Sequence, residues 1–140
     1  NLNYKDEKGE EQKVVMGSYG IGPARLMGTV VETLSDENGI VWPESIAPYK
    51  VHLVSLGDSG EVKTEAKKVY DALNDQNTSV LWDDRDQRPG QKFAESDLLG
   101  LPHRIVVSQK TMEEGIVELK NRKSGDVRKI SLQEVLAELK

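Results

Sequence analysis

Val51-His52-Leu53-Val54-Ser55-Leu56 runs into the polar turn Gly57-Asp58-Ser59-Gly60, after which Val62, Ala66, Val69, Tyr70 and Leu73 recur at helical spacing up to Asn74. Six mostly apolar residues bounded by a turn, then a stripe of period 3.6, read as a buried strand feeding an amphipathic helix. Asp58 and Glu61 have the D-x-x-E spacing of a capping box, which sets the helix start. Toward the C-terminus, Ser79-Val80-Leu81-Trp82 reads as a second strand, Gln91 to Leu99 as a second helix stopped by Gly100, and Arg104 to Val107 as a third strand. Two polar strands follow at 116–120 and 127–130, turned by Lys123-Ser124-Gly125-Asp126. Ser131 with Glu134 repeats the capping box, and Leu132, Val135, Leu136 and Leu139 form a last helical stripe. Strand–helix alternation calls for parallel strands with crossover helices, and the closing hairpin adds antiparallel ones. The expected fold is therefore α/β, a mixed five-stranded sheet flanked by helices.

Toward the N-terminus the pattern changes. Ser35-Asp36-Glu37-Asn38-Gly39 is a polar turn cluster, and Pro43 and Pro48 bracket an extended piece, which places a boundary between residues 1–48 and 49–140. The first part reads as a turn at Asp6-Glu7-Lys8-Gly9, a short strand at Lys13 to Met16, and a helix opened by Pro23 with Met27, Val30, Val31 and Leu34 on one face. Forty-eight such residues cannot close a core of their own, so they are read as a strand–helix remnant of a larger domain.

Composition narrows the function classes. The 140 residues are 36% hydrophobic and 31% charged, and no apolar run approaches the ~20 residues of a membrane span. No signal segment opens the chain, which points to the cytoplasm. Cysteine is absent, so disulfides and thiolate zinc sites are excluded, and His52 and His103 are too few to hold a metal unaided. His52, inside an apolar strand, reads as a satisfied core residue, His103 as structural, and Trp42 and Trp82 as core or interface aromatics. The net charge of −5 argues against indiscriminate nucleic-acid binding. Charge is uneven, however: Lys120 to Lys129 holds five basic residues against Asp126 alone.

Three segments could carry chemistry. Gly20-Ile21-Gly22-Pro23-Ala24-Arg25 opens a helix, where backbone N–H groups and the helix dipole favour an anion and Arg25 would gain from a bound phosphate. A plain Gly-Pro helix start with a solvated arginine is the competing reading. Asp83-Asp84-Arg85-Asp86-Gln87-Arg88-Pro89-Gly90-Gln91-Lys92 leaves the carboxyl end of a strand, the usual ligand position in open α/β sheets. Its acids and guanidiniums either pair with one another in solvent or offer acceptors and donors to base edges. The basic ribbon Lys120 to Lys129 is either a solvated edge or a phosphate contact. A Ser-His-Asp motif is missing, and no catalytic residue is assigned.

Two of these segments resemble a known family. Trp82 to Ala94, continued by Asp97-Leu98-Leu99-Gly100-Leu101-Pro102-His103-Arg104-Ile105-Val106-Val107, resembles the C-terminal anticodon-binding domain of bacterial prolyl-tRNA synthetases. Met16-Gly17-Ser18-Tyr19-Gly20-Ile21-Gly22-Pro23-Ala24-Arg25 resembles motif 3 of the class II catalytic domain in the same family, with Ser18 where many bacterial members carry Cys. The resemblance implies residues 1–48 as the tail of a catalytic domain and 49–140 as an anticodon-binding domain. It implies an enzyme that ligates proline to its tRNA with ATP and Mg2+, as a homodimer. Gly20, Gly22 and Arg25 would then serve ATP. Arg85, Asp86, Arg88 and Lys92, with Lys120 and Arg122, would serve the anticodon and its two guanines. Motifs 1 and 2 have no counterpart in these residues, so this stretch alone is expected to be inactive as a ligase. The alternatives are an accessory protein-interaction module that kept the fold without reading RNA, and a separate nucleotide-binding enzyme using Gly20 to Arg25.

Overall fold

The computed structural model describes residues 2–57 and 59–140. Strands β1 (Asn3–Lys5) and β2 (Glu11–Lys13) pair antiparallel around a turn in which Asp6 Oδ1 accepts from the Lys8 and Glu10 amides at 2.9 and 3.0 Å. The strand expected at 13–16 therefore lies earlier. This turn sets the register that pairs Lys13 with Asn3, and the ladder ends with the Val14 amide on the Leu2 carbonyl. Helix α1 (Pro23–Leu34) starts on proline as expected, with Gly22 as its cap. Val30 is the one buried side chain among the described residues up to position 48, so this segment indeed closes no core of its own.

The turn cluster forms a minimal hairpin, β3 (Ser35–Asp36) and β4 (Gly39–Ile40), with Asp36 Oδ1 accepting from the Asn38 and Gly39 amides. Then follow β5 (Val51–Leu56), α2 (Gly60–Asp75), β6 (Val80–Asp83), α3 (Pro89–Leu99), β7 (His103–Ser108), α4 (Gln109–Glu113), β8 (Val117–Asn121), β9 (Val127–Ile130) and α5 (Leu132–Glu138). The capping box expected at Asp58 lies outside the described residues; Ser59 caps α2 by accepting from the Val62 amide. The box at Ser131 and Glu134 is present.

The sheet order is β6-β5-β7-β8-β9, with β5 parallel to β6 and β7, and β8 and β9 antiparallel. This is the expected mixed five-stranded sheet. Val51, Leu53, Ile105, Val107 and Leu119 pack on one face against Val62, Ala66, Val69 and Leu73 of α2 and Val135 of α5. Trp82 joins this core through Tyr70, ring centroids 5.7 Å apart. Alternation turns His52, Val54, Arg104 and Val106 to the opposite face, where the Arg104 guanidinium lies over the Phe93 ring of α3 at 4.5 Å.

Helix α3 ends in a close fit. Gly100 caps it in the left-handed region (φ 70°), and a Cβ there would lie 1.7 Å from the Ile40 carbonyl oxygen. A Cβ on Gly39 would lie 2.4 Å from Leu98 Cα. Only residues without a side chain let the hairpin backbone meet the helix backbone here. Trp42 reinforces the joint, its indole N–H donating to the Leu99 carbonyl at 3.0 Å and its amide to Gly100. His103 Nε2 lies 3.0 Å from Glu44, tying the following segment to the start of β7.

Candidate nucleic-acid interface

Residues 83–88 leave the carboxyl end of β6 and turn into α3, whose first position is Pro89 and whose cap is Arg88. A lysine in a first helical turn opposes the helix dipole, yet Lys92 is only 2% exposed. Its ammonium is aimed at the strand ends instead. It donates to the Ser55 carbonyl at 2.8 Å and the Asp83 carbonyl at 3.2 Å, and stands 3.7 Å from the Asp83 carboxylate. Strand carbonyls and a carboxylate thus supply the partners that a buried charge requires.

Asp83 is buried and grips Arg85 from below, accepting from Nε and Nη2 at 2.9 Å each and from the Arg85 amide at 3.2 Å. The Arg85 hydrogen bonds outweigh burial and hold the Asp83 carboxyl down at about 2, while Arg85 is raised by Asp83 and then by Glu95. Glu95 receives Arg85 Nη2 at 2.5 Å and Gln91 at 2.9 Å. Asp84, Asp86 and Arg88 are exposed, and their side chains make no hydrogen bond to a described residue. The loop therefore combines a fixed guanidinium with uncommitted acids and one uncommitted arginine.

The sequence grouped Arg85, Asp86, Arg88 and Lys92, and the structure brings them together at one end of α3. Lys92 differs in role, because its charge is spent inside and offers RNA no surface. Lys120 and Arg122 do not join this group. Lys120 reaches both oxygens of Asp97 at 2.8 and 3.0 Å, near the other end of α3. Arg122, 8% exposed, donates to the Asp97 carbonyl at 3.1 Å and makes a two-pronged pair with Asp36, which holds that carboxyl far below its usual range. Arg128 pairs with Glu138 and Lys129 with Glu114, so most of the ribbon's basic excess is neutralised.

Gly20, Gly22 and Arg25 lie at the exposed start of α1. No hydrogen bond among the described residues connects the Arg25 side chain to loop 83–88 or to any other group. One arginine at a helix start fits a single phosphate contact. It does not amount to a site for ATP with Mg2+, and among the described residues no group of three His, Asp or Glu could hold a metal. No step of ATP chemistry is therefore assigned to these residues. No helix among the described residues is long and apolar enough to cross a membrane.

Sequence reasoning missed a groove of about 440 Å³ between β6 and α3, walled by Leu81 and Leu98 and rimmed by Asp84, Arg85 and Glu95. His52 lies at its base. The ring is buried, as expected, but unsatisfied: Nδ1 has no hydrogen-bond partner among the described residues. A histidine within an otherwise apolar strand was the available signal.

The chain is similar over its length to proline–tRNA ligases. It is 45% identical to that of Fusobacterium nucleatum over 100% of the chain and 25% of the relative. It is 42% identical to that of Halothermothrix orenii over 98% and 24%, and 46% identical to that of Rickettsia akari over 96% and 32%. The chain thus spans about a quarter to a third of the curated relatives it matches. Residues 50–140, covering the five-stranded sheet and loop 83–88 alike, match the family described as the anticodon binding domain, and the chain belongs to that family.

Proposed function

We propose that this chain reads the anticodon of a proline tRNA as part of a proline–tRNA ligase. The observation that carries the reading is the loop after β6. A buried lysine and a buried aspartate fix its frame, while Asp86 and Arg88 face outward without internal partners. Carboxylates accept from guanine N1 and N2, and guanidiniums donate to O6 and N7, so the loop suits splayed single-stranded bases. Arg85, Asp86 and Arg88 act on RNA directly. Lys92, Lys120 and Arg122 act by holding the frame. The balanced charge of the loop favours selection of bases over bulk attraction to phosphate.

In the parent enzyme, Gly20, Gly22 and Arg25 contribute to the site where proline is activated with ATP and Mg2+, and the enzyme works in the cytoplasm as a homodimer. The test is binding of this 140-residue chain to a proline anticodon stem-loop by fluorescence anisotropy. Arg88→Ala is expected to weaken binding by about 1–3 kcal/mol. Unchanged affinity of the variant, together with equal affinity for a stem-loop lacking both anticodon guanines, would overturn the reading.

A further inference from the structure

We propose that the groove between β6 and α3 receives a single unstacked guanine, with Asp84 and the outer nitrogen of Arg85 on its edge, Leu81 and Leu98 along its faces and His52 beneath it. The inference rests on the anticodon reading above and adds to it a specific receptor for one base.

Four observations converge on it. The groove measures about 440 Å³, roomy enough for a planar base and open enough to admit one from solvent. Its walls are apolar: Leu98, on the last turn of α3, is 61% exposed despite its size, and extruded bases are commonly held between apolar or aromatic side chains. The rim is preorganised. Arg85 commits Nε and Nη2 to Asp83 and Glu95, which immobilises the guanidinium and leaves Nη1 without a partner among the described residues. Asp84 beside it carries an uncommitted carboxylate.

The fourth observation is His52. Its side chain is almost wholly buried at the groove's base, and Nδ1 is unpaired among the described residues. Buried polar atoms are nearly always paired, so an orphan beside a groove marks a place for a ligand group. Burial also lowers the His52 pKa, which keeps the ring neutral and able to meet a base without adding charge.

The rim selects among bases. Guanine places two donors, N1–H and N2–H, beside the acceptor O6. A carboxylate can take the donors while an arginine nitrogen serves the acceptor. Adenine lacks the second donor and the oxygen, and a pyrimidine leaves the leucine walls partly bare.

The test uses the whole chain, a proline anticodon stem-loop, and stem-loops with an abasic site or adenine at each anticodon position in turn. Leu98→Trp fills the groove from an exposed position, and Asp84→Asn removes the acceptor; circular dichroism confirms folding of both. Leu98→Trp is expected to lower affinity about tenfold or more. At one guanine position it should bind the abasic and intact stem-loops alike, and Asp84→Asn should lose preference for guanine over adenine there. If both variants discriminate as the parent does while Arg88→Ala binds weakly, the groove assignment is overturned and the anticodon reading stands. If the parent chain ignores anticodon sequence altogether, the broader reading fails and the groove assignment falls with it.

Discussion

Arg122 and Asp36 stand 86 residues apart in sequence and meet through two parallel hydrogen bonds of 2.7 Å each. The fork geometry of guanidinium on carboxylate is directional as well as strong. Here it joins the hairpin 35–40 to the end of β8, while Arg122 Nε also holds the Asp97 carbonyl of α3. One side chain thus fixes three pieces of chain against one another.

Removing that side chain should therefore cost more than a surface pair does. Arg122→Ala is expected to lower stability by about 2–3 kcal/mol, the range for hydrogen bonds to charged groups. Lys129→Ala, which breaks an exposed pair with Glu114, is expected to stay within about 1 kcal/mol. Urea unfolding of the two variants side by side gives the comparison, and equal losses would contradict it.

Lys92 offers a sharper contrast within one loop. Lys92→Ala leaves the buried Asp83 carboxylate and two strand carbonyls short of a donor, with an expected loss of about 3–5 kcal/mol. Arg88→Ala, four residues away and exposed, should change stability by less than about 0.5 kcal/mol. Thermal melts should separate a framework lysine from a recognition arginine that the sequence placed in one class.

Gly100 and Gly115 both have positive φ, at 70° and 68°. Alanine at Gly115 meets nothing within 4 Å and should cost only the left-handed strain, about 1–2 kcal/mol. Alanine at Gly100 adds a collision with the Ile40 carbonyl, so its loss should be at least about twice as large. Equal melting temperatures for the two variants would show that the hairpin can move off the helix.

Two groups predict the pH dependence, and both work in the same direction. Burial lowers the His52 pKa below its ordinary 6.5, so the unfolded chain takes up the proton first. Stability should begin to fall as pH drops below about 6.5, and His52→Leu should flatten that part of the profile. Asp83, held at about 2 against an ordinary 3.8, contributes stability that is fully present above about pH 4 and lost as pH falls through about 2. Urea midpoints between pH 8 and 2 would resolve both windows.

Much of the fold was legible because it rests on periodicity. The stripe from Val62 to Leu73 and the apolar run from Val51 to Leu56 each report a local rule, and the structure follows them. Helix α4 escaped notice: it has five residues, too few to show a stripe, and its capping partner is Thr111 rather than an acid. The strand near residue 13 was misplaced because turn hydrogen bonds, not side-chain pattern, set its register. At the site, loop 83–88 was legible from its position after a strand. Which of its charges face outward was not, because the inward partners of Lys92, Lys120 and Arg122 come from distant chain segments. The groove was invisible for a similar reason, since its two leucine walls lie on separate elements.

The meeting of Gly39 with Leu98 and of Gly100 with Ile40 leaves no compressible side chain between hairpin and helix. Such a joint is keyed rather than sprung. Helix α3 is about 16 Å long at 1.5 Å per residue, with the keyed joint at one end and Arg88 at the other. A tilt of the hairpin that strains no bond must swing the helix as a lever, so a displacement at residue 40 arrives at the base-facing loop undamped.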